Sequence, residues 1–163
     1  MDRESLDRIE QSLLDDAFGI LRADHRRIEG CLRRYNQVHD ESQWALLVRD
    51  TLQAIKDHLE IEETIFYPVY LHATNNTIHF RRLLTEHGAE RRLLADIAFA
   101  DPGDSSLETL MAHLEKRVTL HIQEEERKDG LFDAIKAAGV DLRKLGQRLR
   151  HYRDNRIASS WRE

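Results

Sequence analysis

The sequence predicts an all-α fold, an up-down-up-down four-helix bundle with an extra amphipathic helix at the C-terminal end. Three observations carry this. The chain has 163 residues, enough for one domain with a substantial core and too few for two. Only two prolines and seven glycines interrupt it, which leaves stretches too long for a many-turned β fold. Apolar residues recur at alternating three- and four-residue steps in one segment after another.

Residues 1–15 form an acidic lead-in without an apolar run of the signal-peptide kind. The first helix is expected from about Asp16 to Tyr35, with Phe18, Leu21, His25, Ile28, Leu32 and Tyr35 on one stripe. The second, from about Glu41 to Tyr70, carries Trp44, Leu47, Val48, Ile55, His58, Glu62, Ile65 and Val69, with Pro68 near its end. The polar run 73–77 ends it.

The third helix, from about Thr77 to Ala98, shows Phe80, Leu83, Leu84, His87, Leu94 and Ile97. The turn Asp101-Pro102-Gly103-Asp104 follows, and Ser105 or Ser106 can cap the fourth helix with help from Glu108. That helix carries Leu107, Leu110, Leu114, Val118, His121, Glu125, Phe132 and Ile135, with a break expected near Gly130 and a stop at Ala138-Gly139. The bundle thus spans residues 16–138. A basic amphipathic helix and tail occupy 141–163, with Leu142, Leu145, Leu149 and Tyr152 along one side. The simpler reading docks this helix on the bundle, on a second subunit or on a protein partner; the alternative is a polyanion-binding tail.

A net charge of −5 gives no reason to expect nucleic acid or an anionic membrane as partner, and no apolar run is long enough to span a membrane. The single cysteine, Cys31, cannot form an internal disulfide and fits a reducing compartment. A cytoplasmic protein is expected.

Burying an imidazole without a partner costs free energy, yet each of the four main helices carries a histidine on its apolar stripe: His25, His58, His87 and His121. Two are followed one turn later by a glutamate, in His58-Leu-Glu-Ile-Glu62 and His121-Ile-Gln-Glu-Glu125, and an i,i+4 pair points to one side of a helix. His25-Arg-Arg-Ile-Glu29 satisfies the same spacing, so spacing alone does not decide; depth does. In an up-down bundle His25 and His87 lie roughly nine or ten residues, or about 15 Å, from the same end, at the height of Glu62 and Glu125. Imidazole nitrogen with carboxylate oxygen suits iron, manganese or zinc, and two glutamates on separate helices can each bridge a metal pair.

The ordered set Asp24-His25, His58-x-x-x-Glu62 with Phe66-Tyr67-Pro68, Glu86-His87 and His121-x-x-x-Glu125 resembles the hemerythrin-like, or HHE cation-binding, family over roughly Asp16 to Ile135. The resemblance implies two non-haem iron ions bridged by Glu62 and Glu125, with His25 and His58 terminal on one and His87 and His121 on the other. It also implies a protein that binds or reacts with a small oxidant (dioxygen, peroxide or nitric oxide). The alternative is an iron or redox sensor or storage bundle that acts through a partner without turnover.

One departure bears on this. The oxygen-carrying members resemble a pattern with a second histidine one turn from the first in helix three. Here Leu83 and Arg91 stand four residues before and after His87. The centre is one ligand short unless Glu90 or water supplies it. An exchangeable position favours reaction with peroxide, or sensing, over stable oxygen storage. Among the flanking groups, Glu63 or Glu126 is a candidate outer acceptor, Glu60 and Glu124 are expected in water, and His39, His72, His79, His113 and His151 are expected away from the site.

Overall fold

A computed structural model describes residues 16–38, 40–100 and 105–160. The lead-in, His39 and the turn at 101–104 lie outside the described residues, and so do the last three positions. The described residues contain helices and no strand.

Helix α1, Ala17–Tyr35, begins at Asp16, whose side chain accepts from the Gly19 amide at 2.8 Å. That bond satisfies one of the amides a helix start leaves without a partner. Helix α2, Glu41–Ile61, starts the same way, with Asp40 accepting from the Gln43 amide at 3.0 Å.

The sequence reading continued this second helix unchanged to Tyr70. Instead it widens into a π-helical turn at Glu62–Phe66 and resumes as α3, Tyr67–Thr74. Pro68 gives the physical reason: it has no N–H to donate, and its ring crowds the carbonyl four residues back, so a wider turn before it relieves the clash. The extra residue rotates the inward stripe. Phe66, Tyr67 and Tyr70 are buried, whereas the expected Ile65 and Val69 are only half-buried.

Asn75, left-handed at φ 53°, stops α3, and Asn76 caps α4, Thr77–Phe99, by accepting from the His79 amide. Leu83, His87, Leu94 and Ile97 face inward as expected, but Leu84 is exposed, one step off the buried arc. Helix α5, Ser106–Glu126, breaks where the sequence anticipated. After a short loop α6, Leu131–Ala137, follows, and Gly139 at φ +74° ends it in the conformation that glycine adopts without strain.

Helix α7, Leu142–Ser160, packs against α1, α2 and the π turn of its own chain. Leu145 and Leu149 are buried there, and each such side chain contributes about 1.5–3 kcal/mol by leaving water. No helix among the described residues is long and apolar enough to cross a membrane.

The apolar interior falls into two clusters. One gathers Phe18, Leu21, Ile61, Phe66, Leu83, Leu131 and Ile135; the other gathers Ile28, Ile55, Leu59, Leu94, Leu114, Val118 and Ile122. On α1 and α4 the histidine stands between a residue of one cluster and a residue of the other. The polar layer therefore divides the core, and the apolar residues above and below hold it in place.

Candidate metal centre

His25 projects from α1, His58 from α2, Glu62 from the first position of the π turn, His87 from α4, and His121 and Glu125 from α5. All six are buried, with exposures between 0% and 8%. Donor atoms of His25, His58, Glu62, His121 and Glu125 lie within 4.8 Å of one another, and those of His87, Glu90 and His121 form a second such group. The six predicted residues thus meet in one layer.

The two glutamates stand between the histidine pairs. Glu62 Oε2 is 3.4 Å from His58 Nε2, 3.4 Å from His87 Nε2 and 3.3 Å from His121 Nε2. Glu125 Oε2 is 3.4 Å from His25 Nε2 and 3.6 Å from His121 Nε2. The Nε2 atoms of His25 and His58 are 3.2 Å apart. Donors about 2.0–2.2 Å from one ion and at right angles to each other stand roughly 3 Å apart, close to these spacings.

The donor set also fits a cation by what it leaves unsatisfied. On the inward side, Glu62 Oε1, Glu125 Oε2 and His121 Nε2 are buried without a hydrogen-bond partner. Buried polar atoms are almost always partnered, and several orphans in one layer mark a place where positive charge belongs.

Each imidazole turns Nε2 inward and Nδ1 toward a carboxylate on another element. His25 Nδ1 meets Glu126 at 2.5 Å, His87 Nδ1 meets Glu63 at 2.9 Å, His121 Nδ1 lies 3.6 Å from Glu90, and His58 Nδ1 lies 3.8 Å from Asp24. A carboxylate behind a histidine fixes its ring and tautomer and makes the opposite nitrogen a better donor. Arginines hold three of these acids in turn: Arg26 on Glu126, Arg91 on Glu63 and Arg153 on Asp24. The candidate acceptors Glu63 and Glu126 thus both occupy that position. Glu90, the candidate extra ligand, is buried against the outer edge of His121.

Periodicity missed Tyr67. Its side chain is fully buried, and Oη lies 2.8 Å from His87 Nε2, 3.0 Å from Glu125 Oε1 and 3.3 Å from Glu62 Oε2. An ordinary α-helix would turn a residue five after Glu62 away from it. In the π turn the Tyr67 amide instead bonds the Glu62 carbonyl, which stacks the two side chains. Pro68 was the available signal.

Electrostatics tie the metal-free layer together. Burial pulls His25 down, but the neighbouring Glu125 and Glu126 carboxylates outweigh it and raise its pKa to about 9. His87 and His121 shift upward against the same burial, through Glu62 with Glu63 and through Glu125 with Glu62, respectively. Burial pushes Glu62 up, and the surrounding imidazoles more than reverse it, to well below the carboxylate range. Burial raises Glu90, and raises Tyr67 well above its usual value, which keeps the phenol protonated.

The remaining groups stay outside. Glu60 accepts from Tyr152, Glu124 pairs with Arg127 and Glu29 pairs with Arg26. His72, His113 and His151 are exposed, and His79 bonds the Tyr70 hydroxyl. Cys31 is buried at 2% exposure, with the Arg34 guanidinium 3.3 Å from its sulfur.

Residues 16–130 match the Hemerythrin HHE cation binding domain, a span that carries every residue of the layer and stops short of α7. No curated protein and no solved structure matches the chain significantly. With most of its length matched and a buried histidine and glutamate layer able to hold metal, the chain belongs to the hemerythrin HHE cation-binding family.

Proposed function

We propose that this protein holds two iron ions in the layer and reacts with a small oxidant, peroxide ahead of dioxygen or nitric oxide. The observation that carries the reading is the placement of Glu62 and Glu125. Each stands within 3.3–3.6 Å of imidazoles from both histidine pairs, as a carboxylate shared by two ions must. His25 with His58 and His87 with His121 would be the terminal donors.

When bound, an iron pair supplies one- and two-electron chemistry toward a small oxidant. The chain's own residues supply the setting. Phe132 stacks on the His25 ring and Phe66 packs edge-on against Phe132, an apolar wall that keeps bulk water from the layer. Tyr67 Oη carries one proton beside Glu125 Oε1, and this phenol joins Glu90, whose carboxylate groups with His87 and His121, as a candidate for the position that a second α4 histidine would have filled. Arg91 is turned outward onto Glu63 and adds no donor to the centre. A centre completed by a phenol or water has a position that an incoming oxidant can take.

Reconstitution with ferrous iron under anaerobic conditions, followed by metal analysis, tests the reading. Close to two irons per chain and decay of added peroxide are expected. Metal content near zero would overturn the metal assignment. A stable oxygen adduct that vacuum removes over repeated cycles would overturn the preference for peroxide.

A further inference from the structure

Helix α7 begins beyond the family-matched span, yet one of its side chains reaches the layer's outer acids. Arg153 Nη2 donates to Asp24 Oδ2 at 2.6 Å, and the same oxygen is the nearest carboxylate oxygen to His58 Nδ1, at 3.8 Å. The geometry points to Arg153 as a positioning residue for His58, acting through Asp24, so that the C-terminal helix is part of the metal site. This rests on the metal reading above.

The argument comes from a pattern within the molecule. Behind His25, Glu126 Oε1 contacts both the imidazole and Arg26; behind His87, Glu63 Oε1 contacts both the imidazole and Arg91. Histidine, acid and arginine recur in the same order behind His58. In the first two cases the arginine lies on the main bundle, on α1 and α4. For His58 it comes from α7. Asp24 Oδ2 is shared as the other acids are, and its contact to the imidazole is the longest of the four.

The surroundings explain why this acid needs holding. A cavity of about 430 Å³ opens between α7, α1 and α2, and Asp24, His58 and Arg153 line it together with Arg27 and Tyr152. His58 Nδ1 is buried and has no hydrogen-bond partner, and its residue lines this cavity. A carboxylate beside open space turns toward water unless a fixed cation restrains it. Arg153 is that cation. An acid held behind a metal-binding imidazole keeps the ring oriented and its inward nitrogen basic, and losing such a partner typically lowers metal affinity by about 10–100-fold.

The test compares Arg153→Ala, Arg153→Lys and Arg156→Ala in the full-length protein loaded with ferrous iron, with iron release to an excess of chelator as the readout. Arg156 is the control: it anchors α7 to Glu60 at 2.7 Å and to Asp57 at 3.4 Å without touching Asp24. Release about tenfold faster in Arg153→Ala, partly restored in Arg153→Lys and unchanged in Arg156→Ala, supports the inference. Equal acceleration in Arg153→Ala and Arg156→Ala would reduce Arg153 to a docking contact and overturn it. So would release at the wild-type rate, or slower release, which would mean that Arg153 pulls Asp24 away from His58. A second readout needs no iron: in the metal-free protein the ¹⁵N resonance of His58 Nδ1 should move in Arg153→Ala and stay in Arg156→Ala. A wild-type chain that takes up no iron would overturn the metal reading alone, and the resonance would still decide whether Arg153 governs His58.

Discussion

The Tyr67 hydroxyl lies 3.3 Å from the Glu62 carboxylate although they are five positions apart, because the helix between them is wound as a π turn. One inserted residue therefore brings a phenol into a layer otherwise built from imidazoles and carboxylates. Tyr67→Phe removes only the oxygen and keeps the buried ring. The folded protein should survive, with a loss of about 1–3 kcal/mol in the metal-free state, since buried partners lose a hydrogen bond. Its iron-loaded form should differ from wild type in visible spectrum and in peroxide decay. Identical spectra and identical decay would remove Tyr67 from the centre.

The bridging assignment makes a sharper demand. Glu62→Ala or Glu125→Ala should lose both metal ions, because each carboxylate lies against both histidine pairs and its removal takes a donor from each. Glu60→Ala should keep them, since Glu60 is occupied with Tyr152 and Arg156 on the outer face. Metal analysis of the three proteins after one reconstitution protocol decides it. Equal loss in all three would contradict the facing of α2.

Gly130 is required for space rather than for conformation, its φ of −81° being open to any residue. A Cβ there would stand 2.5 Å from the Glu124 carbonyl, 2.8 Å from that of Arg127 and 3.0 Å from that of Glu125. These are backbone atoms at the end of α5, one of them belonging to a proposed ligand, and they cannot turn aside as a side chain can. Gly130→Ala should cost about 1–3 kcal/mol in denaturant unfolding and should also weaken iron retention. A variant with wild-type stability would show that the loop relaxes freely.

Stability of the metal-free protein should fall with rising pH. His25 has its pKa raised to about 9 in the folded chain, from 6.5. A raised pKa means that the protonated form is favoured by folding. This contribution is complete below pH 6.5 and is lost as pH climbs through about 9. His87 and His121 shift in the same direction and add to the slope. Melting temperatures of the iron-free protein across that window should decline. The loaded protein should decline less, its inward nitrogens having exchanged protons for metal, and should melt higher throughout by mass action. A flat profile without metal would indicate that the histidines are neutral in the apo layer.

By itself the sequence determined the helices and the depth of the layer. Leu83, His87 and Leu94 on α4, or Val118, His121 and Glu125 on α5, follow a periodicity set by the backbone, whereas the cap expected of Ser105 makes no side-chain bond at the start of α5. What faces the core along a regular helix is legible in one dimension because each turn repeats the last. Two things lay outside that repetition: a local break at Pro68, and packing, which only tertiary structure decides. The π turn before Pro68 broke that repetition, moved burial from Ile65 and Val69 to Phe66, Tyr67 and Tyr70, and placed the phenol at Glu62 and Glu125. The acids behind the histidines, and Arg153 behind Asp24, come from other helices, so their meeting depends on how those helices pack. Spacing along a chain carries no record of a contact between residues 24, 58 and 153; the packing of α7 on α1 and α2 creates it.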